Sequence, residues 1–162
     1  MHCKGNVTVV GEFNIATDPE AAAIVLEEAV VPTYVLPWET CCQKGLDWDW
    51  HKRWMNGNSD AMKFLKAVTA HTCEMDRNAW GTLFCPPDLI AMAMAIDKSM
   101  ISKSQLCYCY MNCGTDPLTR GQLIVDWRGL LKRTANITIC LDWSTERFKT
   151  LLETMSASYE SK

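Results

Sequence analysis

The stretch that most constrains the fold is Asp18-Pro19-Glu20. Asp18 is a good helix N-cap, Pro19 suits the first helical position, and Glu20 suits the positive end of the helix dipole. AAAIVLEEA carries that helix, over 19–29, to Val31-Pro32, which stops it. TYVLPW (33–38) then follows as a strand ended by Pro37. A capped helix that feeds directly into a strand predicts an α/β chain. The segment ahead of the helix, within GNVTVVGEFNIATDPEAAAIVL (5–26), is Gly-punctuated and carries Asn6, Glu12 and Asn14. Polar groups in the crevice at a helix N-terminus of an α/β fold are a usual place to hold a ligand.

Residues 1–17 otherwise read as loop and short strand. Residues 39–58, ETCCQKGLDWDWHKRWMNGN, read as a polar, Trp-rich connection closed by Asn56-Gly57-Asn58. Ser59 caps a long helix over 60–75, whose apolar face is predicted to run through Met62, Leu65, Val68 and Thr72. FCPPD (84–88) is a turn opening a helix over 89–96. Strands are expected at QLCYCYM (105–111), QLIVDW (122–127) and NITICLDW (136–143), with GTDPLTRG as a turn. The last helix carries Phe148, Leu151, Leu152 and Met155 at i, i+3, i+4 and i+7. Helices alternate with strands early and strands cluster late, the pattern of an open mixed sheet flanked by helices.

A chain of 162 residues suits one domain with one core. A net charge of −3, with no Lys/Arg stripe, argues against polymeric nucleic acid as a partner. The longest apolar run, LIAMAMAI (89–96), is about a third to a half of the length needed to cross a bilayer. MHCKGNVTVV has no apolar signal-peptide core. No membrane partner and a cytoplasmic location are therefore expected, with the sequons at Asn6 and Asn136 unglycosylated. Nine cysteines, an odd number, fit free, half-buried thiols better than a disulfide framework. Cys107 and Cys109 share a face if this segment is a strand. No second CxxC or CxxH pair completes a zinc site, so Cys107, Cys109 and Cys113 read as strand packing.

Several spaced motifs add a family resemblance. The run GNVT-xxx-EFN-xxx-DPEAA from Gly5 resembles the signature of the inosine-uridine preferring nucleoside hydrolases, the nucleoside N-ribohydrolase family. Asp88-Leu-Ile-Ala-Met-Ala, after Cys85-Pro86-Pro87, is similar to the family's HDPLAVA segment. Thr119-Arg120-Gly121 through Asp126 is similar to its TRGxTVxD segment, and TYVLPWET sits where the family has a strand after the DPEAA helix. The similarity spans essentially the whole chain and corresponds to the C-terminal half of a single nucleoside hydrolase domain. It implies cleavage of the N-glycosidic bond of ribonucleosides to ribose and free base. It also implies a calcium ion that holds the ribose 2′ and 3′ hydroxyls and a water, which an Asp activates to attack C1′ through an oxocarbenium-like state. Matched by motif, Asn6, Glu12 and Asn14 would bind ribose hydroxyls, Phe13 would line the pocket and Asp88 would be a calcium ligand. Members are commonly dimers or tetramers, so the resemblance admits a homo-oligomer.

The departures are equally specific. The family's DxDxGxDD cluster, source of most calcium carboxylates and of the water-activating Asp, has no match, and the chain is about half the usual family length. The family's HD pair falls on Pro87-Asp88, which removes the His that helps protonate the leaving base; Cys85 is a poor replacement at neutral pH. Two functions follow from this pattern. One is the C-terminal half of a nucleosidase that needs a longer chain. The other is a non-catalytic relative that binds ribose-like ligands or pairs with a full-length subunit. Taken alone, Asn6 and Asn14 suit turn and loop positions, Glu12 a solvated one and Asp88 a helix N-cap. Trp38, Trp48, Trp50 and Trp54 read as packing and amphipathic surface, although aromatic faces can also stack on a nucleobase. Neither His51 nor His71 is assigned as an acid.

Overall fold

The computed structural model describes residues 5–80 and 83–158. In chain order the elements are α1 (Phe13–Thr17), α2 (Pro19–Glu28), β1 (Thr33–Val35), α3 (Trp38–Cys41), β2 (Leu46–Asp47), α4 (Trp48–Trp54) and α5 (Asp60–Trp80). They continue with β3 (Leu83–Phe84), α6 (Pro87–Ile96), β4 (Ile101–Met111), β5 (Leu123–Asp126), β6 (Ile137–Trp143) and α7 (Thr145–Ser158). Contacts gather the chain into two compact units. One runs up to Thr40 and includes Ile101–Trp143; the other is Cys41–Met100 with the segment from Ser144 onward.

The first unit is a four-stranded sheet in the order β1-β6-β4-β5. β1 runs parallel to β6, while β4 is antiparallel to both β6 and β5, so the sheet is mixed as the strand pattern predicts. Along β4 the alternation places Cys107, Cys109 and Met111 on the buried face, where Ile137, Ile139 and Leu26 of α2 complete a core. The cysteine pair is strand packing, and burial raises the Cys107 and Cys109 thiol pKa values. Helix α2 forms as its sequence dictates: the Asp18 carboxylate accepts from the Ala21 N–H at 2.9 Å and Pro19 opens the helix.

Asn136 ties this unit together. Its Oδ1 accepts from the Cys109 N–H at 2.8 Å, and its Nδ2 donates to the carbonyls of Cys109 and Leu26, both at 3.1 Å. The side chain that reads as a sequon acceptor is thus committed to joining β4 and the end of α2.

The second unit pairs β2 with β3, antiparallel, and adds α4, α5, α6 and α7. Several bounds differ from the sequence expectation. Residues 13–17 are helical rather than loop. The strand after Pro32 is only three residues long, because Pro37 and the short helix α3 end it. The Trp-rich segment is not an irregular connection. It contains β2 and α4, with the Asp47 carboxylate accepting from the Asp49 and Trp50 N–H groups at 2.8 and 3.0 Å. Helix α6 begins at Pro87, and β4 begins at Ile101.

Ser59 does cap α5, accepting from the Met62 N–H at 3.3 Å. The side of α5 turned inward keeps the predicted Met62 and Leu65 but continues through Thr69 and Cys73, whereas Val68 and Thr72 are exposed. The helical period explains the shift, since Val68 lies about 120° around the axis from Met62. Among the described residues no helix is long and apolar enough to cross a membrane.

Candidate functional site

The loop that begins at Gly5 folds on itself through the Gly11 carbonyl, which accepts from the N–H groups of Asn6, Val7 and Thr8 at 3.2, 3.3 and 3.3 Å. The Gly11 N–H in turn donates to the Thr8 hydroxyl at 2.8 Å. A Cβ at Gly5 would lie 2.0 Å from the Thr8 carbonyl oxygen, so only glycine fits there. This closure carries Asn6 back onto the start of α1, where its Oδ1 accepts from the Phe13 N–H at 2.8 Å. Glu12 is the N-cap of α1: its carboxylate accepts from the Asn14 N–H at 3.0 Å and the Asn14 Nδ2 at 3.3 Å. The structure therefore brings Asn6, Glu12, Phe13 and Asn14 together in one turn.

What the turn presents is chemically definite. Among the described residues the Asn6 Nδ2 has no hydrogen-bond partner. The Glu12 carboxylate has acceptor capacity beyond its two bonds to Asn14, and the Phe13 ring is 60% exposed. An amide donor, a carboxylate acceptor and an apolar ring make a set suited to a polyhydroxylated ligand.

Asp88 stands apart in the chain. It belongs to the second unit, in the first turn of α6, with an exposed side chain. It is not the N-cap, because Pro86 occupies that position and makes no side-chain cap bond. Among the described residues no group of three or more His, Cys, Asp or Glu side chains could hold a metal. Calcium takes roughly six to eight oxygen ligands, so the described residues do not by themselves fit a calcium ion.

Cys85 and His51 are engaged in packing. The Cys85 thiol donates to the Cys41 carbonyl at 3.0 Å. His51 is buried, tilted against Phe84 with ring centroids 4.1 Å apart and edge-on to Trp48 at 5.3 Å. His71 is exposed on α5. Trp50 and Trp54 are buried and stacked, centroids 5.6 Å apart.

Two of the motif residues have partners that sequence reading missed. Arg120 pairs with Glu20 across 100 positions, Nη2 to Oε1 at 2.7 Å and to Oε2 at 2.6 Å. Asp126 accepts from the N–H groups of Leu131 and Leu130 at 2.8 and 2.9 Å, and these bonds hold its carboxyl below the usual range. The hydrogen bond from Arg120 likewise lowers the Glu20 pKa. A carboxyl depressed in the folded state stabilises above its unfolded pKa and loses that contribution as pH falls through the folded value. The Arg120–Glu20 pair should therefore be intact at neutral pH and part only below the ordinary glutamate range. A carboxyl-carbon NMR titration of Glu20 checks this; a midpoint at or above that of free glutamate would contradict it.

Comparisons with known proteins bear on the family and the fold. The family model for inosine-uridine preferring nucleoside hydrolase matches residues 1–150. An uncharacterized protein of Schizosaccharomyces pombe is 28% identical over 152 residues, covering 89% of this chain and 44% of its own. An inosine-guanosine nucleoside hydrolase superposes with a TM-score of 0.84 at 23% identity, over 96% of this chain and 48% of that one. A purine-preferring ribonucleoside hydrolase from Gardnerella vaginalis does so with a TM-score of 0.77, also at 23% identity and over 96% and 48%. These likenesses show a shared fold. The chain spans about half the length of the relatives it matches.

Proposed function

Because this chain belongs to the inosine-uridine preferring nucleoside hydrolase family, we propose that it serves the hydrolysis of ribonucleosides to ribose and free base, as the C-terminal portion of a single nucleoside hydrolase domain. The observation that carries this reading is the convergence of Asn6, Glu12, Phe13 and Asn14 in one turn. In this reading the Asn6 Nδ2 donates to a ribose hydroxyl, Glu12 accepts from one and Asn14 joins them, while the Phe13 ring lines the pocket. Asp88 supplies one carboxylate to a calcium site whose other oxygens come from outside the described residues.

The second reading, a non-catalytic ribose binder or partner of a full-length subunit, is supported by Asp88 joining no group of three or more possible metal ligands among the described residues. Both readings expect no turnover from this chain alone, and they divide on whether it turns over inosine once the rest of the domain is supplied. Incubated alone with inosine and calcium, the chain should release no measurable hypoxanthine. Robust release abolished by Asp88→Ala would overturn the half-domain reading. Titration of ribose or inosine into the labelled chain should shift the Asn6 side-chain amide and the Phe13 and Asn14 backbone amides. Glu12→Gln should weaken that binding by about tenfold, the effect of losing a charge-assisted hydrogen bond. No shift at any of the three at tens of millimolar ligand would remove the ribose assignment.

A further inference from the structure

We propose that the turn between β4 and β5 is the seat that positions the ligand-contact loop, with Arg120 as its positioning residue. The inference rests on the reading of Asn6, Glu12, Phe13 and Asn14 as ribose contacts, and it assigns the control of that loop's geometry to a segment 100 residues away.

The turn touches the loop and the helix that follows it at several separate points. Arg120 grips Glu20 in the first turn of α2 with Nη2, at 2.6 and 2.7 Å, while its Nη1 donates to the Cys113 carbonyl at 2.7 Å. The guanidinium thus links the body of the turn to α2. The Cys113 thiol donates to the Pro19 carbonyl at 3.4 Å. Gly121 adopts φ +79°, and its backbone lies against α1: a Cβ there would meet the Ala16 Cα at 3.5 Å and its N at 3.8 Å. The Arg120 carbonyl oxygen is 3.8 Å from where a Cβ on Gly11 would sit. Gly11, Ala16, Pro19 and Glu20 are thereby all met by residues 113–121.

The seat itself is stiff. Asn112 Nδ2 donates to the Thr119 carbonyl at 2.9 Å, the Gly121 N–H to the Asn112 carbonyl at 2.8 Å, and the Leu118 N–H to the Asp116 carboxylate at 2.9 Å. Both its ends are strands of the sheet. Only Asp18 separates α1 from α2, so fixing Glu20 fixes the base from which α1 and its capping residue Glu12 project. The left-handed conformation at Gly121 lets the chain turn tightly beside α1, where a side-chain-bearing residue would be strained.

The Arg120 and Glu20 side chains are 37% and 56% exposed, and ion pairs of that kind add little to global stability. A residue that contributes little to global stability yet reaches the loop this directly should act locally.

The test is amide hydrogen exchange on the whole chain, wild type against Arg120→Ala. The Phe13 and Asn14 amides, held by Asn6 and Glu12, report the loop; the Cys109 amide, held by Asn136, reports the core. Arg120→Ala should accelerate exchange at Phe13 and Asn14 by about tenfold or more while Cys109 changes by less than about twofold. The exchanged pair Arg120→Glu with Glu20→Arg should restore most of the protection. Unchanged exchange at Phe13 and Asn14 overturns the proposal, as does a rise shared equally with Cys109, which would mark general destabilisation. Ribose titration of the same variants separates the two readings: local loosening in a chain that never binds ribose keeps the seat and removes the ribose assignment.

Discussion

Asn136→Ala should destabilise the protein by about 2–4 kcal/mol, a larger effect than any surface substitution in the same unit. The substitution leaves the Cys109 N–H and the carbonyls of Cys109 and Leu26 without the side chain that now satisfies them. A partly buried polar group stripped of its partner costs about 1–3 kcal/mol, and the donor N–H is the costliest of the three. Cys109 is wholly buried, so water cannot replace Asn136 at that strand position without opening the core. Asn136→Asp separates the parts of the effect. It keeps an acceptor for the Cys109 N–H but turns both donor bonds into repulsive oxygen–oxygen contacts, so it should rescue little or none of the loss. Urea denaturation of the three proteins gives the comparison; a change below about 0.5 kcal/mol for Asn136→Ala would show that the network is replaceable.

Asn136 also marks where sequence reading stops. Its local context, Asn-Ile-Thr, reads as a sequon, and nothing within a few residues reveals bonds to positions 109 and 26. Features set by neighbours in the chain were legible: the Asp18-Pro19 start of α2, the Ser59 cap of α5, the alternation that buries Cys107 and Cys109, and the clustering of strands late in the chain. The mixed α/β sheet follows from these. The five-residue helix α1 was missed because it is too short to show a hydrophobic period; its start depends on Glu12 capping Asn14. Of the candidate site, the residue types at Asn6, Glu12, Phe13 and Asn14 were legible, but their mutual hydrogen bonding was not. The Arg120–Glu20 pair joins two motifs each visible in the sequence, yet their pairing depends on how β4 and β5 bring the turn to α2. Long-range pairings of this kind leave no periodic trace in the chain.

The Trp-rich segment gives the other large expected effect. Read by composition, DWDWHKRW is polar, and its tryptophans read as packing and amphipathic surface, with base stacking the lesser alternative. Two of its tryptophans are tied to a helix about 100 residues later. Trp54 Nε1 donates to the Leu152 carbonyl at 3.2 Å and Trp50 Nε1 to the Glu153 carboxylate at 2.9 Å, both partners lying on α7. Trp50 and Trp54 are each only 7% exposed, and Phe148 of the same unit is fully buried. Trp54→Ala should therefore cost about 3–5 kcal/mol, the range for removing a buried aromatic and leaving a cavity. Trp48→Ala should cost distinctly less, because that ring is only half-buried and no cavity of comparable size forms. Trp54→Phe keeps most of the volume but loses the donor to Leu152, so it should fall between the two. Thermal melts of the three variants test the ordering. If Trp54→Ala melted like the wild type while weakening the binding of inosine but not of ribose, the ring would be a base contact and the packing assignment would fail.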